Sequence, residues 1–401
     1  MIPRHLTTVL AKAWQQFPVV VLTGARQVGK TTLARNFLPD ARYVTLDNRA
    51  DAAKAKLTPD AFLAGTAPAN PLIVDEVQYA PELFREIKVL LEQNRAAGQF
   101  LITGSQGFEL MRNVTETLAG RAAILNLTAL GLPELPADTA TDSFLWRGGF
   151  PELWKNPELE RELWLGSYIT TYLERDVRNL ASIGNLNTFD RLLRMLALRV
   201  GQQLSYADLA RDVGVSPNTA KNWMSILKAS RLIFLLEPWH RQRTKRLVKS
   251  PKVYFHDSGL LTYLLGFQRV EDVKTNAIWG AVWENLVVSE IQKFFLAAGR
   301  RPPLWYWRTT AGDEVDLLVE CAPETFLAIE SKTAARIPSD ALKGINALRK
   351  EYGAAAVRKA FVVCRTETAE PLAENATSAA VPLYNTTGEG ILQSNDLREM
   401  V

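Results

Sequence analysis

Eight residues constrain this chain more than any other stretch: Gly24, Ala25, Arg26, Gln27, Val28, Gly29, Lys30 and Thr31, set between the apolar run Val19, Val20, Val21, Leu22 and a helix-forming segment. Two glycines with four residues between them, followed by Lys and Thr, let the backbone curl so that successive N–H groups point inward. Anionic phosphate oxygens suit that concavity, and the positive end of the following helix adds to it. Lys30 then reaches the β- and γ-phosphates, the Thr31 hydroxyl coordinates Mg²⁺, and Thr32 completes the loop. Such a loop links a buried strand to a helix, so the chain is expected to start with a parallel sheet covered on both faces.

Further strand-like runs support that expectation. Leu72, Ile73 and Val74 lead into the adjacent carboxylates Asp75 and Glu76, about 45 residues beyond the loop. At the carboxyl end of a parallel strand, Asp75 would hold the Mg²⁺ shell and Glu76 would polarise the attacking water. Phe100, Leu101, Ile102 and Thr103 lead into Gly104, Ser105 and Gln106, where Ser105 or Gln106 could position that water; ordinary turn chemistry is the alternative. Arg121 could stabilise charge on the transferred phosphoryl, within its chain or from a neighbouring subunit of a homo-oligomer. A surface ion pair is its plain alternative. Arg175 is a weaker candidate for a second sensing arginine.

Composition narrows the class. The 401 residues are 47% hydrophobic and 22% charged, which fits a folded chain of two or three domains. No apolar run approaches the ~18 residues that span a membrane, and the first residues lack an apolar signal core, so a cytosolic location without membrane partners is expected. Two cysteines and three histidines cannot build a Cys/His zinc cluster.

Charge is uneven along the chain. Residues 186–252 hold 13 Lys/Arg against 4 Asp/Glu, whereas the whole chain nets +4. Within this basic middle, Phe189, Leu192, Leu193, Leu196 and Val200 form one side of a helix. Ser205 and Asp208 read as a capping box, and Ser216 with Pro217 as the start of a third helix. That layout is a helix-turn-helix whose third helix would offer Asn218, Thr219, Lys221 and Asn222 to a DNA groove. The β-rich residues 232–255 would form a wing carrying Arg241, Arg243, Lys245, Arg246, Lys249 and Lys252. Contact with DNA or RNA is one reading; a rigid lid, a protein-docking unit, or pairing of the basic hairpin with the acidic remainder of its own chain are the others.

Together with Leu72 to Gln78, Leu101 to Ser105, Leu118 to Arg121, Gly148 to Glu152, Tyr172 to Val177 and Tyr254 to Leu260, the phosphate loop makes the chain resemble AAA-type ATPases of bacteria and archaea that carry a C-terminal domain of unknown function. The resemblance spans nearly the whole chain and implies an ATP-binding, hydrolytic protein.

The last segment holds a second set of charges. Glu284 lies on a long helix, sharing a side with Val288 and Ile291; Asp316 follows a Gly-Asp turn, and Glu330 stands two residues before Lys332 on a strand. Side chains two apart share a strand face, so Glu330 and Lys332 meet, and Asp316 can join from a paired strand. The set looks like the PD-(D/E)XK nuclease constellation, in which Asp316 and Glu330 would hold a divalent ion and Lys332 would orient or deprotonate water. An inactive fold kept for binding and coincidental ion pairing are the alternatives.

The expected fold class is α/β: a P-loop NTPase domain over residues 1–140, a helical connector over 141–185, a winged helix over 186–270, and a restriction-endonuclease-like domain over 271–401. The expected function is ATP hydrolysis with Mg²⁺ that repositions a nucleic-acid-binding wing and the nuclease-like domain. A metal-dependent nuclease regulated by ATP and a nucleotide-gated switch without turnover are the alternatives.

Overall fold

The structure, a computed structural model, describes residues 2–105, 116–172, 186–241, 250–335, 337–372 and 378–401. Gln106, Arg175, Arg243, Lys245, Arg246 and Lys249 lie outside the described residues. The chain divides into two compact units: one is residues 1–130 with 229–231 and 296–300, and the other is the remainder.

The first unit is built on five parallel strands, β1 (Val19–Thr23), β2 (Arg42–Thr45), β3 (Leu72–Asp75), β4 (Phe100–Gly104) and β5 (Ala122–Asn126), in the order β2-β3-β4-β1-β5. β1, β3 and β4 are buried at every position. Helices cover both faces, which is why these strands read as unbroken apolar runs and not as alternating ones. Alternate residues feed two cores. Val19, Val21, Leu72, Val74, Phe100 and Ile102 pack with Phe84, Ile87 and Leu91 of the Leu83–Gln93 helix. Val20, Leu22, Ile73, Leu101 and Leu125 pack with Leu6 and Leu10 of the Leu6–Gln16 helix and Leu33 of the Lys30–Phe37 helix. Thr23 pairs with Gly104 on one side and Asn126 on the other, so the strand ends that carry polar residues line up.

The second unit contains a six-stranded mixed sheet in the order β12-β13-β11-β10-β9-β8, made of β8 (Leu304–Arg308), β9 (Glu314–Ala322), β10 (Thr325–Ser331), β11 (Val357–Val363), β12 (Glu370–Pro371) and β13 (Ser378–Val381). β8, β9 and β10 form an antiparallel meander, and β10 and β11 run parallel with the Lys343–Tyr352 helix between them. Ahead of this sheet in sequence come the helices Leu186–Ala197, Tyr206–Val213 and Pro217–Ala229, then an antiparallel pair, β6 (Ile233–Leu236) and β7 (Lys252–Phe255). The Ser205 hydroxyl caps the second of these helices by accepting from the Asp208 N–H at 3.2 Å, and the Ser216 hydroxyl accepts from the Thr219 N–H at 3.1 Å.

Two glycine-bearing motifs latch this unit together. The Asp257 carboxylate accepts from the Gly149 N–H at 2.7 Å and from the Leu260 N–H at 2.8 Å. Gly148 has φ +75°, and a Cβ there would lie 2.3 Å from Asp257 Oδ1. Arg161, buried beside them, donates to the carbonyls of Trp146 and Gly259, both at 2.7 Å, and its guanidinium lies 3.8 Å from the Trp146 ring centroid. Gly148→Ala therefore adds a steric conflict to a left-handed backbone. Thermal unfolding is expected to show a loss of about 2 kcal/mol or more.

Candidate functional site

The turn from β1 into the Lys30–Phe37 helix is shaped by its backbone. Gly24 has φ +150°, Gln27 +62° and Gly29 +95°, and a Cβ on Gly24 would lie 2.1 Å from the Leu127 carbonyl oxygen. Only glycine fits at 24, because the loop presses onto the residue that follows β5. Arg4 fixes the outer side by donating to the carbonyls of Val28 at 2.8 Å and Thr128 at 2.7 Å. Lys30 is buried and donates to the carbonyls of Gly24 at 3.1 Å and Ala25 at 2.8 Å, so its ammonium sits against the loop. Ala25 and Val28 are buried, Arg26 is half-buried, and Gln27 and Thr32 are exposed.

Asp75 gathers hydroxyl donors. Thr31 Oγ1 lies 3.0 Å from each carboxylate oxygen, the Tyr43 hydroxyl donates at 2.9 Å, and the Thr103 hydroxyl donates to Oδ1. Burial, then the hydrogen bond and charge of Asp75, push the Tyr43 hydroxyl up to about 12. Thr31 and Asp75 offer a hard oxygen set next to the loop, which fits Mg²⁺. Glu76 sits at φ +57° just beyond β3; its N–H donates to Thr103 Oγ1 at 3.3 Å. Its carboxylate accepts from Ser105 Oγ at 3.0 Å and from the Gln78 amide.

Loop, Asp75, Glu76 and Ser105 are thus brought together. Arg121 is not. It stands just before Ala122, which pairs with Val19 at the opposite end of β1 from the loop, and its nearest carboxylate is that of Glu92, at 3.9 Å. Five strand residues at about 3.3 Å each separate that end from the loop, so Arg121 cannot serve the site of its own chain.

The second charged centre lies on the other unit. Glu284, on the Trp279–Ala297 helix, accepts from Lys252 Nζ at 2.9 Å and from the Tyr254 hydroxyl. Lys252 also pairs with Glu314, which Arg308 holds from outside at 2.6 Å. Asp316 Oδ2 accepts from the Ser331 N–H at 2.8 Å and its hydroxyl at 2.7 Å, and Lys332 Nζ pairs with Glu330 Oε1 at 2.7 Å. Burial and then the Asp316 charge push the Glu284 carboxyl up to about 7 and that of Glu330 up to about 8. Burial works against the Lys252 charge, but Glu284, Asp316 and Glu314 outweigh it and raise its affinity for the proton.

The strand partnership expected of Glu330, Lys332 and Asp316 is present. The carboxylates of Asp316 and Glu330 are held by Ser331 and Lys332 respectively. Each carboxylate has a donor on one oxygen, while Glu330 Oε2 is buried without a hydrogen-bond partner, and among the described residues no group of three or more His, Cys, Asp or Glu side chains is placed to hold a metal ion. Lys252, counted in sequence with the wing, is instead buried among the acids with 2% of its surface exposed.

Comparison with known proteins bears on both units. An AAA domain model matches residues 16–135, and two domains of unknown function, DUF8612 and DUF4143, match 139–271 and 279–385. The uncharacterized proteins Rv2008c of Mycobacterium tuberculosis and Mb2031c of Mycobacterium bovis are each 37% identical over 321 residues, covering 79% of this chain and 71% of theirs. The chain belongs to the family of these mycobacterial proteins. The Walker-type ATPase PABY2304 of Pyrococcus abyssi overlaps 66% of this chain and 96% of its own at 16% identity and a TM-score of 0.44. The RuvB Holliday junction branch migration motor of Thermotoga maritima overlaps 57% and 88%, at 16% identity and 0.28.

Within the AAA domain, Tyr43, Gln78 and Thr103 were not singled out from sequence. Thr103 carried a legible signal, being the polar residue that ends an otherwise apolar buried strand. Tyr43 and Gln78 carried none, because strand order and a local turn bring them to the carboxylates. On the helix Pro217–Ala229, Asn218, Lys221 and Asn222 are exposed, whereas Thr219 is half-buried with its hydroxyl 2.8 Å from that of Ser216. Arg241 is exposed and pairs with Glu324 at 3.2 Å. Among the described residues no helix is long and apolar enough to cross a membrane.

Proposed function

We propose that the protein is a cytosolic ATPase that uses the nucleotide state of its AAA domain to control contact with nucleic acid. The observation that carries the reading is the meeting of three elements: an amide-lined loop with Lys30, an Asp75 carboxylate bonded to Thr31, and a Glu76 carboxylate within reach of the same strand ends. In this reading the loop amides and Lys30 bind the phosphates, and Mg²⁺ held near Thr31 and Asp75 supplies charge to the transferring phosphoryl. Glu76 accepts the proton of the attacking water, released from Gln78 when nucleotide fills the site. Ser105 and Thr103 keep the two carboxylates apart and oriented. Arg121 gains a catalytic part only in a homo-oligomer, where it would reach the nucleotide of the next copy.

The three helices and the β6–β7 pair support a winged-helix reading of the basic segment. Asn218, Lys221 and Asn222 line the exposed side of the third helix, and Arg241 begins the basic run between β6 and β7. DNA is the partner that this charge and geometry suit, since each phosphate neutralised releases counterions. The C-terminal sheet with Glu284, Asp316, Glu330 and Lys332 supports a nuclease-like fold, with cleavage a separate matter from fold.

Two outcomes are expected. Steady-state phosphate release should fall about hundredfold or more in Lys30→Ala and in Glu76→Gln, and by a smaller factor in Thr103→Val; unchanged release in folded Lys30→Ala and Glu76→Gln would remove the site from the mechanism. DNA affinity measured against salt should fall on a straight logarithmic line whose slope drops by about 1 for each of Lys221→Ala and Arg241→Ala. A salt-independent affinity would overturn the nucleic-acid reading.

A further inference from the structure

The acids of the C-terminal unit are countered by a cation from outside their own sheet. Lys252 opens β7, paired with Leu236 of β6, and its side chain is 3% exposed. Its ammonium lies 2.9 Å from Glu284 Oε1 and also contacts Glu314, while the Tyr306 ring centroid is 5.5 Å away. Tyr254, two residues on and so on the same strand face, donates its hydroxyl to the same oxygen of Glu284. Glu284, Asp316 and Glu330 are close enough that the charge of Asp316 acts on both of the others.

A buried ammonium is costly unless carboxylates match it, and here two of them do. A divalent cation held by Glu284 would share its carboxylate with that ammonium. Two positive charges on one poorly hydrated carboxylate repel each other strongly, so the ammonium and the metal compete for it. Lys252 is seated by its pairing with Leu236 of β6 and by a bridge to Gln203.

We propose that Lys252 is a built-in counter-ion that keeps divalent cations out of the Glu284, Asp316 and Glu330 centre while β7 is paired with β6. The inference rests on the nuclease-like reading of these acids and adds how that centre is held closed.

The test is Mn²⁺ binding to the full-length, nucleotide-free protein, followed by electron paramagnetic resonance of free Mn²⁺. Lys252→Met, which keeps the buried stem, and Lys252→Gln as a second variant are compared with the unaltered protein after circular dichroism shows each to be folded. Either folded variant should bind one Mn²⁺ at least about tenfold more tightly than the unaltered chain, given the charge removed. Adding Asp316→Asn should abolish that gain. Equal, Asp316-dependent Mn²⁺ binding with Lys252 in place would overturn the proposal, as would folded variants that gain no Mn²⁺. Plasmid and single-stranded DNA incubated with the same variants separate the two readings. A variant that gains Mn²⁺ and cuts nothing upholds the proposal and removes the nuclease reading alone.

Discussion

The path of the backbone between Thr23 and Lys30 is the constraint on which the AAA domain depends. Three positive φ angles within six residues turn the chain back on itself, and the Leu127 carbonyl leaves no room for a side chain at Gly24. The loop packs against Leu127, just after β5, and the β3–β4 pairing brings Thr103 alongside Asp75. Sheet order, loop shape and the placing of the acids are therefore one problem with one solution. The two apolar cores on either face of the sheet supply the free energy that holds the strained turn in place.

The two carboxylate centres make an instructive contrast. Around Asp75 the donors are hydroxyls, from Thr31, Tyr43 and Thr103, which can rotate and accept once a cation arrives. Around Glu284 the principal donor is an ammonium, which cannot accept and carries the charge that a metal would bring. Similar acids thus have different surroundings: one centre is ringed by hydroxyls, and the other is partnered by an ammonium of the chain.

Much of this was legible in the sequence because the signals were local. The loop spacing, the acid pair ending an apolar strand, the Ser205 and Ser216 caps, and the two-residue spacing of Glu330 and Lys332 each depend on neighbours a few positions away. Features that depend on register between distant strands were not legible. The Tyr43 hydroxyl reaches Asp75 through the β2–β3 pairing, and Arg121 falls at the far end of β1 through the β1–β5 pairing. Lys252 takes the alternative in which the basic run meets acids of its own chain, and its partners Glu284 and Glu314 were not legible because a separate helix and sheet supply them.

The central claim is that main-chain amides of the loop, with Lys30, grip a nucleoside triphosphate. Isothermal calorimetry of ATP with Mg²⁺ into the full-length protein tests it most directly. Saturable binding of one ATP per chain is expected, as is its loss in Gly24→Ala, where the added methyl group forces the loop off Leu127. An absence of binding heat from the unaltered protein, or undiminished binding by a folded Gly24→Ala variant, would contradict it.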